Sequence, residues 1–64
     1  MPTIVFHSPK LTDAQKKEAI QRFTEAGSAV TGIDEKNFVV YLEEKDPGNV
    51  GVGGEVLKDL LQRQ

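Results

Sequence analysis

A chain of 64 residues with no cysteine and a formal net charge of −2 has room for one small domain and cannot form a disulfide or a thiolate metal site. Eight basic residues against ten acidic ones do not supply the clustered positive surface that nucleic-acid binding requires, and no run of about 18 to 20 apolar residues is present to span a membrane. The start of the chain lacks a signal-peptide pattern, and its single histidine has no neighbouring ligands, so we expect a cytoplasmic protein with no metal and one domain over residues 1–64.

The first predicted elements are a strand and a long helix. Residues 3–7 are predicted to form the first strand, in which Ile4, Val5 and Phe6 are consecutive, and Pro9 ends it because proline donates no hydrogen bond to a ladder. Thr12, followed three residues later by Gln15, has the form of a capping box. Apolar residues then recur at three- and four-residue steps, which predicts an amphipathic helix of about five turns. Gly32 is placed to end that helix in a left-handed conformation.

The second half of the chain predicts a strand, a turn and a shorter helix. After a polar connection over residues 33–37, residues 38–44 are β-branched and aromatic and form the clearest strand. Residues 46–49 have the composition of a turn. The glycine-rich residues 50–54 predict a small hairpin arm or a tight loop, and the apolar spacing over residues 55–61 predicts a C-terminal helix.

This order of elements makes one βαβ unit, whose connection is long enough for a right-handed parallel crossover. One helix covers only one face of a two-stranded sheet, yet both predicted strands are apolar on both faces. A single copy would leave an apolar sheet face and unpaired strand edges in water. We therefore predict an α/β fold, a single βαβ unit with parallel strands, a short glycine-rich hairpin or loop and a C-terminal helix, that associates into an oligomer.

Pro2, directly before the first strand, is the leading catalytic candidate. Removal of Met1 would make Pro2 an amino-terminal secondary amine. A free α-amino group titrates at about 7.7–8.0, against about 10.4 for lysine, so little perturbation brings it near neutral pH, where a proton shuttle works best. The alternative is a structural role, because proline is tolerated at the start of a strand. A retained Met1 would make the Pro2 nitrogen an amide with no usable basicity.

Three segments together resemble the 4-oxalocrotonate tautomerase family: Pro2 at the strand start, Thr-Asp-Ala-Gln-Lys at residues 12–16, and Gly-Val-Gly-Gly-Glu at residues 51–55. The resemblance extends from Pro2 to about residue 57. It implies a homohexamer, a trimer of dimers in which two βαβ units form each four-stranded sheet. It also implies a cofactor-independent isomerase in which Pro2 is the general base. The base would shift a proton on a small enol or unsaturated carboxylate substrate.

The chain departs from the family pattern where a substrate would be held. The family's pre-helix arginine falls near Lys10, which preserves the charge but not the bidentate fork. The family's second-strand arginine falls on Val39, and its aromatic residue before the glycine segment falls on Val50. We treat Lys10, Val39 and Val50 as candidate substrate-binding residues. For Lys10 the alternative is a solvated loop lysine.

The remaining polar candidates lie along the strands. Tyr41 is on the side of its strand where the family's arginine is missing, and its hydroxyl could donate to a developing enolate. The alternative for Tyr41 is packing at a subunit interface, where tyrosine is favoured. His7 has the opposite strand parity to Pro2, which indicates a surface or interface role, and Glu43 and Glu44 indicate a solvated strand end.

Two other functions fit the same residues. One is a non-catalytic ligand-binding or assembly protein on the tautomerase fold, favoured by the missing strand arginine and by a retained Met1. The other is a related hydration or dehalogenation in which Pro2 stays protonated and acts as an acid. A pH–rate profile separates these roles, because a base gains activity as the pH rises through its pKa and an acid loses it.

Overall fold

The computed structural model describes residues 1–63, and Gln64, the last residue of the predicted domain, lies outside them. Short 3₁₀ turns at Glu35–Asn37 and Pro47–Asn49 connect the larger elements of this part of the chain. Those elements are, in order, β1 (Thr3–Ser8), α1 (Asp13–Thr31), β2 (Val39–Glu44), β3 (Gly51–Val52), β4 (Glu55–Val56) and α2 (Leu57–Gln62). No helix in the described residues is both long enough and apolar enough to cross a bilayer.

β1 and β2 pair in parallel, in a register that runs from Thr3 opposite Val39 to Ser8 opposite Glu44. Helix α1 forms the crossover between them, so the predicted βαβ unit is confirmed. Parallel pairing puts the amino ends of both strands at one edge of the sheet and their carboxyl ends at the other. We call these the amino edge and the carboxyl edge.

The two faces of this sheet differ. Helix α1 covers the face that carries Phe6, whose ring meets the ring of Phe23 edge-on with centroids 4.9 Å apart. On the other face, which we call the open face, Val5 and Tyr41 lie opposite each other with 49% and 56% exposure. By strand alternation the open face consists of Thr3, Val5, His7, Val39, Tyr41 and Glu43.

Both predicted ends of α1 are confirmed. The Thr12 hydroxyl accepts a hydrogen bond from the Gln15 N–H at 3.1 Å, and the Gln15 side chain accepts one from the Thr12 N–H at 2.9 Å. Gly32 ends the helix with a φ of 75°, a conformation that L side chains rarely adopt. Gly27 lies inside the helix, where glycine costs about 1 kcal/mol relative to alanine. A Cβ there would lie 2.6 Å from Cε2 of Phe38, so the close approach of the Phe38 ring accounts for this glycine.

The hairpin is confirmed, while the predicted start of the C-terminal helix is wrong. β3 and β4 pair antiparallel across Gly53 and Gly54, whose φ angles of 60° and 86° suit a two-residue hairpin turn. The prediction placed Glu55 and Val56 in the helix, but both pair with β3, so α2 begins at Leu57. Apolar spacing alone could not separate these residues from the helix that follows them.

The strand boundaries are also shifted by one residue at two places. The predicted second strand began at Phe38, but the Phe38 N–H donates to the Glu35 carbonyl oxygen at 3.0 Å and closes a 3₁₀ turn, so β2 begins at Val39. The first strand is predicted to end at residue 7, but β1 continues to Ser8.

A single copy of the chain has almost no closed core. Within residues 1–63 no hydrophobic residue is buried, and Ser8, with 5% exposure, is the one buried residue. The radius of gyration is 15.1 Å, against about 11 Å for a compact domain of this length. One helix therefore leaves part of the apolar surface of the sheet exposed to water. The sequence predicts association for this same reason.

Candidate active site

Pro2 is held at the amino edge by its own carbonyl group. The Pro2 carbonyl oxygen accepts a hydrogen bond from the Val39 N–H at 3.0 Å, and Pro2 is half-buried. Met1 lies outside β1 and is 88% exposed. Removal of Met1 would free the Pro2 nitrogen without touching the hydrogen bond that fixes the residue. The structure therefore joins two of the predicted site residues, Pro2 and Val39, through their backbones, while strand alternation places the Val39 side chain on the open face.

Lys10 lies at the opposite, carboxyl edge, in the loop between β1 and α1. It borders a shallow groove of roughly 270 Å³ together with Glu44, Lys45, Asp46 and Pro47. The loop is tied to the sheet at the next residue along, where the Leu11 N–H donates to Oε2 of Glu44 at 2.8 Å. Lys10 itself is exposed, so its ammonium group is accessible to a ligand.

Glu44 is more than the solvated strand end that the sequence indicates. Its Oε1 forms a salt bridge with Nζ of Lys16, 3.2 Å away, while its Oε2 accepts the Leu11 N–H. The Leu11 hydrogen bond, followed by the Lys16 ammonium, holds the pKa of this carboxyl group below its ordinary value. One signal was available in the sequence: Glu44 has the strand parity of Val40 and Leu42, which points it toward the helix side.

Val50 also lies near the carboxyl edge. Its carbonyl oxygen accepts the Leu57 N–H at 2.7 Å, which joins the segment before the hairpin to the start of α2. Val50 lines an apolar groove of roughly 430 Å³. The residues around this groove are His7, Ser8, Pro9, Lys45, Pro47, Val50, Leu57 and Leu61.

Tyr41 is in the middle of the open face, away from both edges. Strand alternation puts Pro2 on the helix side of the sheet, so in one chain Tyr41 and Pro2 lie on opposite faces. His7 is on the open face as well, with its Nδ1 4.0 Å from Oε1 of Glu43. The central position of Tyr41 on the open face suits packing at a subunit interface, which is the alternative role predicted for it from the sequence.

The candidate residues thus form two separate groups in one copy of the chain. Pro2 and Val39 occupy the amino edge, whereas Lys10 and Val50 occupy the carboxyl edge. The six residues of β1 separate the two edges by about 20 Å at roughly 3.3 Å per residue. A small substrate cannot reach both groups on the same chain.

Comparisons with known proteins agree on one family. The family model described as "Tautomerase enzyme" matches residues 2–60. A probable tautomerase of Bacillus cereus is 42% identical over 48 residues, which are 75% of this chain and 79% of that protein. A 2-hydroxymuconate tautomerase of Bacillus subtilis is 37% identical over 49 residues, which are 77% of this chain and 79% of that protein. The crystal structure of DmpI from Helicobacter pylori superposes with a TM-score of 0.88 at 28% identity, covering 98% of this chain and 100% of that one.

Proposed function

Because the chain belongs to the tautomerase enzyme family, we propose that it is a cofactor-independent, cytoplasmic isomerase in which the amino-terminal Pro2, freed of Met1, is the general base. The substrate class is a small enol, unsaturated carboxylate or ketone. One observation carries the proposal: Pro2 is anchored through its carbonyl oxygen, so its nitrogen is the atom left for chemistry once Met1 is gone.

The reaction is a proton transfer in two steps. The Pro2 nitrogen takes a proton from a carbon or enol oxygen of the substrate, and the electron pair moves into the conjugated system. The resulting secondary ammonium then returns the proton to a different carbon, which restores the amine. The apolar site that the resemblance implies would disfavour the ammonium form and keep the amine available as a base. The Lys10 ammonium would hold the substrate carboxylate by a charge-assisted hydrogen bond.

A site that uses both Pro2 and Lys10 requires more than one copy of the chain. The two residues lie about 20 Å apart along β1, so a substrate touching both would bridge two protomers. The open face supplies the surface for association through Val5 and Tyr41. We propose the homohexamer implied by the resemblance, a trimer of dimers, as the active form.

The first test is an activity assay on protein of known mass. We expect the chain that lacks Met1 to ketonise phenylenolpyruvate, a simple enol with one carboxylate, and intact-mass measurement identifies the processed form. A second candidate function, ligand binding without catalysis, is favoured by the uncharged Val39 at the amino edge. Processed protein that binds the enol but does not convert it would establish that second function and contradict the first.

Lys10→Ala should raise KM for phenylenolpyruvate about tenfold and leave kcat nearly unchanged, because a charge-assisted hydrogen bond at an exposed position contributes at the lower end of about 1.5–3 kcal/mol. Steady-state kinetics measures both constants. Lys17→Ala, which removes an exposed lysine from α1, is the matched control and should leave KM unchanged. An unchanged KM in Lys10→Ala would remove Lys10 from the site.

A further inference from the structure

We propose that Glu44 is a positioning residue for substrate binding, which holds the loop carrying Lys10 and leaves the Lys10 ammonium free for the substrate carboxylate. The inference rests on the proposed function, because it assigns Glu44 a role through Lys10. Glu44 itself lies at the carboxyl edge, away from Pro2, and its role is to act through Lys10.

The first support is the way the carboxylate joins three elements. Glu44 is the last residue of β2, and the following N–H, that of Lys45, donates to the Ser8 carbonyl oxygen at 2.8 Å. The end of β2 is therefore fixed against the end of β1. From this base Glu44 uses one oxygen for the Leu11 N–H and the other for Lys16 of α1. Lys10 immediately precedes Leu11 in the chain, so its backbone is joined to the residue that Glu44 holds.

The second support is electrostatic. A carboxylate beside Lys10 would be expected to compete with a substrate carboxylate for its ammonium group. In the structure both Glu44 oxygens are engaged by other groups, the Leu11 N–H and the Lys16 ammonium. Among the ion pairs of residues 1–63 none includes Lys10. Lys16 is thus the direct partner of the carboxylate, and Lys10 interacts with it only through space, without forming a salt bridge.

The test compares two substrates, phenylenolpyruvate and its methyl ester, which lacks the carboxylate charge and carries one additional methyl group. In Glu44→Ala we expect KM for the acid to rise about tenfold, with kcat and the KM for the ester unchanged, as for loss of one charge-assisted contact. Glu44→Gln, which keeps an oxygen for the Leu11 N–H, should show a smaller rise. Glu18→Ala, which removes an exposed glutamate paired with Arg22, is the matched control.

Two further readouts separate positioning from a general structural effect. Adding Glu44→Ala to Lys10→Ala should raise KM no further, because the two changes act on one contact and are not additive. Amide hydrogen exchange at Leu11 should accelerate in Glu44→Ala, and it is measured without substrate. A KM for the acid that falls would show that Glu44 only repels anions and would overturn the proposal, as would unchanged exchange at Leu11.

The outcomes also separate this proposal from the proposed function. Wild-type protein with a free Pro2 amine and no activity on either substrate would overturn both. Active wild-type protein in which Lys10→Ala raises KM for the acid but Glu44→Ala does not would overturn the role of Glu44 alone. A loss of activity on both substrates in Glu44→Gln would likewise replace positioning with a general structural role.

Discussion

The chain that begins at Pro2 should ketonise phenylenolpyruvate about 10² to 10⁴ times faster than the same chain with Met1 retained. This factor is the rate enhancement that general acid–base catalysis contributes. The two proteins differ by one exposed residue, and the Pro2 hydrogen bond to Val39 is the same in both. Only the nitrogen changes, from an amine with a basic electron pair to an amide without one. Total synthesis of both chains avoids any dependence on enzymatic processing.

Pro2→Ala in the chain without Met1 is the companion variant. It keeps an amino-terminal amine of ordinary basicity but loses the ring that fixes the backbone, so its loss of activity should be smaller than that caused by Met1. The pH–rate profile of the processed wild type should rise with pH through the pKa of the amine, as expected of a base. Equal activity with and without Met1 would contradict the assignment, and a profile that falls with pH would make Pro2 an acid.

The local features of this fold are readable from the sequence because each depends on residues close together in the chain. The capping box at Thr12, the left-handed end of α1 at Gly32 and the turn at Gly53 and Gly54 are all set within a few residues. The hydrophobic period then separates the long helix from the two strands.

Features that depend on distant partners are not readable in the same way. Val56 has helical spacing with the leucines that follow it, but its pairing with Gly51 across the hairpin determines its conformation. The sequence predicts that Glu44 is a solvated strand end, because its contact with Leu11 joins residues 33 positions apart and leaves no local signal of this partner. Pro2 and Lys10 flank the same predicted strand, so their separation on a single chain follows from its extended length, whereas the pairing of Val39 with the amino end of β1 emerges only from the parallel register.

The separation of Pro2 and Lys10 makes association the second large effect, and Val5→Asp should prevent the part of it that the open face mediates. Val5 lies opposite Tyr41 in the centre of the open face and is 49% exposed. A partner copy covering this face would bury the aspartate carboxylate without a compensating cation, at a cost of several kcal/mol. Analytical ultracentrifugation should find the wild type hexameric and Val5→Asp dimeric, because the strand-edge pairing that forms each four-stranded sheet does not use the open face.

Loss of association should also lower thermal stability, because a single copy has no fully buried hydrophobic residue among those described. The wild-type Tm should rise with protein concentration, as it does when the folded state is linked to assembly, and Val5→Asp should have a lower Tm at the same concentration. Val30→Asp makes the same chemical change at a residue of α1 that is 86% exposed, and should leave both mass and Tm as in the wild type. A Val5→Asp protein with wild-type mass and Tm would place the subunit interface away from the open face and require a different explanation for the exposed Val5 and Tyr41.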